Sequence, residues 1–224
     1  MPTHKFAPLL GKRIRVTQMT EAGAIGINNI VTDGFITATL SAEVEDGSEI
    51  VVRNAFGQLC INERMNPSFK RLNVEIEFCG VNPSLLAYVS NVIEYEDYAG
   101  DIAGFTIPEG EISGSFGFEL WTGLSGSLND SNANGYMLLP WVGKGNLGDI
   151  TVDGENAVTF SVTGAATRGG HAWGQGPYDV LINGDSPGVA DVLPTALDPY
   201  DHFLLVDTAV AAPAVDEQPA IVNT

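Results

Sequence analysis

At 224 residues the chain is long enough to bury one sizeable core, or at most two small ones, because the share of surface removed from water grows with size. A hydrophobic content of 44% and a mean hydropathy of +0.10 argue against disorder, and 26 Gly with 12 Pro predict many turns and an all-β fold. Ten basic residues against 28 acidic ones, a net charge of −18, argue against gripping nucleic acid, which needs a cationic footprint to displace counterions from phosphates.

The N-terminus, MPTHKFAPLLGKRIRV, has no apolar core ahead of its basic cluster, and no stretch approaches the roughly 20 apolar residues of a membrane span. The expectation is a soluble protein made in the cytosol, unless a leader was trimmed, with no membrane partner. Charge is unevenly spread. Residues 1–72 hold eight basic residues against seven acids, whereas 73–224 hold only Lys144 and Arg168 against 21 acids. Solubility alone accounts for such an imbalance.

Along the chain, FITATLSAEV alternates with period two: Ile36, Ala38, Leu40, Ala42 and Val44 fall on one side, Thr37, Thr39, Ser41 and Glu43 on the other. Asp46-Gly47 then reads as a turn. Residues 53–72, RNAFGQLCINERMNPSFKRL, lack sustained alternation, contain Gly57 and Pro67, and hold Arg53, Arg64, Lys70 and Arg71. They read as a long loop, and long loops in compact domains often carry function. Cys60 and Cys79 lack metal-site spacing and read as buried thiols rather than a bridge.

NVEIEFC alternates again, Val74, Ile76 and Phe78 opposing Asn73, Glu75, Glu77 and Cys79. In NPSLLAYVS, Asn82 suits an N-cap and Pro83 the first turn, while Leu85, Leu86 and Val89 form one apolar stripe, predicting a helix over about 82–90. Further strands are expected where Phe116, Phe118 and Leu120 oppose Ser115, Gly117, Glu119 and Trp121, and where Val158, Phe160 and Val162 oppose Thr159, Ser161 and Thr163. Asp153-Gly154 marks a hairpin just before the second of these.

No motif for chemistry survives inspection. DSNANG, Asp130 to Gly135, opens like a calcium loop, but Trp141 stands where the closing Glu belongs, so it reads as a hairpin loop. The glycine-rich 168–179 segment lacks a phosphate-loop ending, and GLSGS misses the nucleophile elbow because Ser127 replaces its last Gly. His4, His171 and His202 lack paired ligands, and the acids at Glu94, Glu96, Asp97, Asp198 and Asp201 cluster as an acidic chain does by chance. The expectation is no enzyme, no catalytic residues, no metal and no cofactor.

Read together, GKRIRVTQ, NVEIEFCGVNPSLLAYVS, FELWTG, YMLLPWVGKGNLGDITVDGENAVTFSVTGAAT and WGQGPYDV resemble, in order and spacing, the major tail protein of long-tailed actinobacterial phages over roughly residues 11–182. Family members often carry more cysteines before NVEIEFC and near the C-terminus, so Cys60 and Cys79 inherit no disulfide. The Asn-rich loop at 129–134 and the terminal tail look specific to this chain against the family pattern. The resemblance implies a mainly β fold: a β-sandwich of tail-tube type over 1–206 with one short flanking α-helix, a long loop at about 53–72, and a flexible C-terminal tail or arm at 207–224.

The implied function is structural. Copies self-associate into hexameric rings that stack as the tail tube of a virion assembled in the host cytoplasm. The tube encloses the tape-measure protein, meets tail terminator and baseplate or tip proteins at its ends, and passes the genome DNA without specific binding. Within that reading, Glu75 and Glu77 are candidate lumen-facing acids that would repel phosphate, or else they face solvent or an adjacent subunit. Arg53, Arg64, Lys70 and Arg71 are candidate assembly contacts to acidic surface on a neighbouring copy, or else a solvated basic loop. Competing classes are a carbohydrate-binding β-sandwich using Trp121, Trp141 and Trp173 as a stacking platform, an acidic hydrolase, and a tail terminator or capsid decoration protein.

Overall fold

A computed structural model of the chain describes residues 8–20, 22–80, 82–90, 92–110, 114–124, 134–152, 158–166, 169, 172–176, 180–182, 190–208, 210–215 and 217–219. The elements are β1 (Pro8–Met19), β2 (Ile25–Thr32), β3 (Phe35–Glu45), β4 (Glu49–Arg53), β5 (Leu59–Arg64), β6 (Ser68–Phe78), α1 (Pro83–Ser90), β7 (Ile93–Glu96), β8 (Ile102–Thr106), β9 (Gly114–Leu124), β10 (Asn134–Thr151), β11 (Thr159–Ala166), β12 (Leu181–Ile182), β13 (Ala190–Asp191), β14 (Leu204–Thr208) and β15 (Glu217–Pro219). The fold is mainly β with one short helix. No helix among the described residues is long and apolar enough to cross a membrane.

One nine-stranded antiparallel sheet runs β15-β2-β1-β9-β10-β11-β6-β3, with β14 pairing the first part of β10 and β11 its second part. The sheet curls over on itself. Phe35, opening edge strand β3, lies so close over Gly11 of β1 that a Cβ there would stand 2.6 Å from its ring. The two layers are therefore halves of a continuous sheet around one core. Ile14, Val16 and Ile30 come from one half, Val74, Ile76 and Phe78 from the other, and Phe116, Phe118 and Val142 from between.

The helix closes this core as the sequence predicts. Asn82 Oδ1 accepts the Ser84 N–H at 2.9 Å, capping α1, and Leu85, Leu86 and Val89 are fully buried. Each such side chain contributes about 1.5–3 kcal/mol relative to exposure. Its C-terminal end sits directly on the sheet: a Cβ on Gly145 would stand 1.8 Å from the Val89 carbonyl oxygen, and one on its register partner Gly114, 2.4 Å.

A second core covers the other face of β1, β9 and β10, built from Met19, Trp121, Tyr136 and Leu138 beneath Trp173, Val180, Leu193 and Leu197. Strand β9 is thus buried on both sides. The expected wet face at Glu119 and Trp121 does not exist, because the segment after β11 folds back across it. The buried Glu119 is paired: Arg15 donates Nε–H to Oε2 and Nη2–H to Oε1, each at 2.6 Å, and the Tyr136 hydroxyl donates to Oε1 at 2.7 Å. The Arg15 guanidinium also lies 5.2 Å from the Trp121 ring centroid.

The structure corrects four expectations. Residues 53–72 are no loop. They contain β5 and the first part of β6, and with β4 they prolong the β3–β6 pair into a hairpin arm whose tip is Asn54–Gly57. Asn54 Oδ1 accepts the N–H groups of Phe56 and Gln58, and Gly57 takes φ +78°, so the tight turn falls here. Asp46-Gly47 instead crosses the backbone of Met65 midway along the arm, where a Cβ on Gly47 would stand 1.7 Å from the Met65 carbonyl oxygen.

Cys60 and Cys79 are free but exposed, because β5 is uncovered on both faces and Cys79 lies just past the last buried residue of β6. Finally, the boundary at 206 falls inside β14, and the described residues beyond it are docked rather than free. Arg13 Nη1 donates to the Pro213 carbonyl, Asn134 Nδ2 to that of Val210, and β15 pairs with β2. Asp153-Gly154, His4, His171, Arg168 and most of DSNANG lie outside the described residues.

Candidate functional site

The arm is the most unusual surface. Every residue of β4 and β5 is exposed, and among the described residues the pair hydrogen-bonds only to itself. Register places Ile50 opposite Glu63 and Val52 opposite Ile61, so three aliphatic side chains share one face, while Phe56 at the tip is 91% exposed. An isolated two-stranded ribbon is at best marginally stable in water. Edge strand β3 leads into it, and its outer edge pairs with nothing among the described residues. A long open edge of this kind is a ready template for another strand.

The four basic candidates separate into two pairs. Lys70 and Arg71 converge on Glu43 at the root of the arm, Lys70 Nζ lying 3.0 Å from Oε1 and Arg71 Nε donating to Oε2 at 2.6 Å. The Arg71 hydrogen bond, then that of Lys70, holds the Glu43 carboxyl down to a pKa of about 2. These two bases brace the arm and are not free cations. Arg53 and Arg64 lie out on the arm itself, Arg53 donating to the Gly57 carbonyl at 3.1 Å and Arg64 standing across the ladder from Glu49.

Glu75 and Glu77 project from β6 on the side away from the core. In register across three strands, Thr39, Glu75 and Thr163 form one row, and Thr37, Glu77 and Ser161 the next. Beside them is a depression of about 410 Å3 lined by Thr39, Ser41, Arg71, Asn73, Glu75, Lys144 and Thr163 among others. Sequence reading gave Lys144 no role. Regular alternation would place it on the core side with Val142, but a bulge in β10 and a left-handed backbone (φ +56°) turn it outward. For a residue other than glycine that conformation costs about 1–2 kcal/mol. The only advance signal was its place between two glycines in VGKGN.

A second protruding hairpin, β7–β8, carries Glu94, Glu96, Asp97 and Asp101 with no base and a fully exposed Tyr98. Asp97 Oδ1 accepts the N–H groups of Ala99 and Asp101, so part of this cluster is turn chemistry. The same holds at 198–202, where Asp198 and Asp201 bond within their own turn. His202 stacks edge-on against Phe69 at 5.0 Å. No group of three metal-ligating side chains occurs among the described residues.

The three tryptophans do not form a platform. Trp121 is fully buried, and Trp173 is locked over Gly117 with its Nε1–H donated to the Pro140 carbonyl at 2.6 Å. No protein-family model matches the chain, and no curated protein matches its sequence.

Proposed function

We propose that this chain is a self-associating structural protein whose copies form hexameric rings, stacked as the tube of a phage tail. The tube encloses the tape-measure protein, is closed by terminator and tip proteins, and conducts the DNA genome. The observation that carries this reading is the continuous hairpin from Phe35 to Phe78. Its far half is exposed, with an aliphatic row on one face of a ribbon too small to be stable alone, and its outer strand leaves an edge open. A second copy supplies what both features lack. In this reading the open edge and the arm meet different patches on the next copy, and such head-to-tail contacts propagate.

The burial of Trp121 and Trp173 supports this reading over a carbohydrate-binding module. Arg53 and Arg64 remain the cations positioned for a neighbouring copy, while Lys70 and Arg71 hold the arm in place. Glu75 and Glu77 occupy the polar face proposed to line the passage.

Electron microscopy of the purified full chain across a concentration and salt series tests the proposal. Stacked rings with an open channel are the expected result. A monomer at every concentration refutes self-association, and closed rings that never stack favour a terminator-type protein instead.

A further inference from the structure

Two hairpins protrude from the body, and they stand at opposite ends of one strand pair. Strands β3 and β6 run together from Phe35–Phe78 to Glu45–Ser68, and β3 with its 11 residues spans roughly 33 Å at about 3.3 Å per step. The arm leaves from the Glu45–Ser68 end. The β7–β8 hairpin stands at the other, where Phe105 packs edge-on against Phe160, the register partner of Phe78, at 6.3 Å. Because the arm prolongs the pair away from that end, it meets such a hairpin only on another copy.

The two surfaces are complementary. Register sets Arg53 across from Leu59 and Arg64 across from Glu49 on one face of the arm, behind the face of Ile50, Val52 and Ile61. Neither arginine forms an ion pair among the described residues. On the hairpin, Glu96, Asp97 and Asp101 are exposed and equally without an ion pair, beside exposed Tyr95 and Tyr98. Gly104, across the ladder from Tyr95, leaves open space there.

We propose that the Arg53–Arg64 face of the arm seats on the β7–β8 hairpin of the next copy along the strand axis. Arginine suits both parts of that acceptor, since its guanidinium forks onto carboxylates and stacks on aromatic rings. Each copy then gives an arm at one end and receives one at the other, which is a head-to-tail repeat. Arm on arm or hairpin on hairpin would bring like charges together. Burial of the aliphatic face behind supplies the association, while the charged face selects the neighbour and its register. The inference rests on the tube reading and names the surface that the arm meets.

The test compares full chains by sedimentation velocity and electron microscopy: wild type, an arm variant (Arg53→Glu with Arg64→Glu) and a hairpin variant (Glu96→Arg with Asp101→Arg). All four side chains are exposed, so both variants fold, which thermal unfolding checks. Each variant alone should need about tenfold or more protein to associate, because like charges then face each other across the contact. The hairpin variant is the sharper of the two. It brings the acidic chain closer to neutrality, which by long-range repulsion alone would promote association. Mixed in equal amounts, the reversed arms meet reversed hairpins and the native arms meet native ones, so association should return. Unchanged association of either variant, or a mixture no better than its components, overturns the inference. So does restoration of the hairpin variant by Lys144→Glu in place of the arm variant, which would make the depression the acceptor. Restoration in the mixture with no ring or channel in micrographs would count against the tube reading alone, and a wild type that stays monomeric would overturn both.

Discussion

Replacing Glu119 by Ala should be the most damaging single change in the body of the protein. The carboxylate is fully buried, and the Arg15 side chain facing it is only 4% exposed, so the pair has given up nearly all its hydration. It is held by a two-pronged contact at 2.6 Å on each side and a third bond from Tyr136. Removing the carboxylate leaves a guanidinium that cannot shed its proton under a core of Trp121 and Leu138, at a cost of about 3–5 kcal/mol. Against a typical total of 5–15 kcal/mol this is a large fraction.

The double variant Arg15→Met, Glu119→Leu removes both charges and both desolvation costs, and should recover most of the loss. Tyr136→Phe should cost about 1.5–3 kcal/mol, the range for a hydrogen bond to a charged group. Urea unfolding followed by tryptophan fluorescence, on dilute monomer, reads wild type and the three variants on one scale. A loss below about 1 kcal/mol for Glu119→Ala, or a double variant as damaged as the single, would refute the claim that a buried charge dominates this site.

Gly145→Ala forces a methyl group onto the Val89 carbonyl and should cost about 1–3 kcal/mol, whereas Gly104→Ala, with open space around it, should be nearly neutral; thermal unfolding separates them. The Glu43 carboxyl titrates lower in the folded than in the unfolded chain, so its contribution is complete above its ordinary value of 4.5 and fades as pH falls toward about 2. The stability difference between wild type and Glu43→Gln should therefore be flat at neutral pH and shrink through that window, and a difference that grew with acid would contradict the brace. Ile50→Thr combined with Ile61→Thr on the arm should change monomer unfolding little and abolish ring formation in electron micrographs; normal rings would remove the arm from the interface.

Much of the first core was legible because it obeys period two on strands with one wet face: Val74, Ile76 and Phe78 are buried as their alternation predicts, and α1 begins at its cap. The second core was not, because its cover arrives from residues 172–212, far away in sequence and without strong periodicity. Alternation then misassigned Glu119 and Trp121, and nothing local in FGFELW marks a carboxylate destined to meet Arg15 from a strand 104 positions earlier. The arm was missed for the opposite reason. With both faces exposed, β4 and β5 have no burial pattern to print on the sequence, and β5 read as a loop. Of the candidate sites, the row of Glu75 and Glu77 was visible from alternation. The pairing of Lys70 and Arg71 with Glu43 required knowing the β3–β6 register, and Lys144 required the bulge.

The placement of the bases gives the charge asymmetry a physical meaning that composition lacks. Most of the described bases of the first 72 residues are tied inside the chain. Lys12 donates to Asn134 Oδ1 at 2.6 Å, Arg13 to Pro213, Arg15 to Glu119, and Lys70 and Arg71 to Glu43. The first 72 residues therefore use most of their described cations to hold strands and the terminal segment in register. Among the described acids of the rest, Glu119 alone is ion-paired, and exposed acids such as Glu75 and Glu96 contribute to the outer charge. Copies of such a molecule repel one another at long range, and only short-range burial can overcome that repulsion. The apolar face of the arm combines a row of aliphatic side chains with a free backbone edge. Added salt should therefore promote association of this protein, as screening weakens repulsion while burial of Ile50, Val52 and Ile61 is untouched, whereas an interface held by Arg53 and Arg64 alone would loosen. The sign of that salt dependence decides between an apolar and an ionic arm contact.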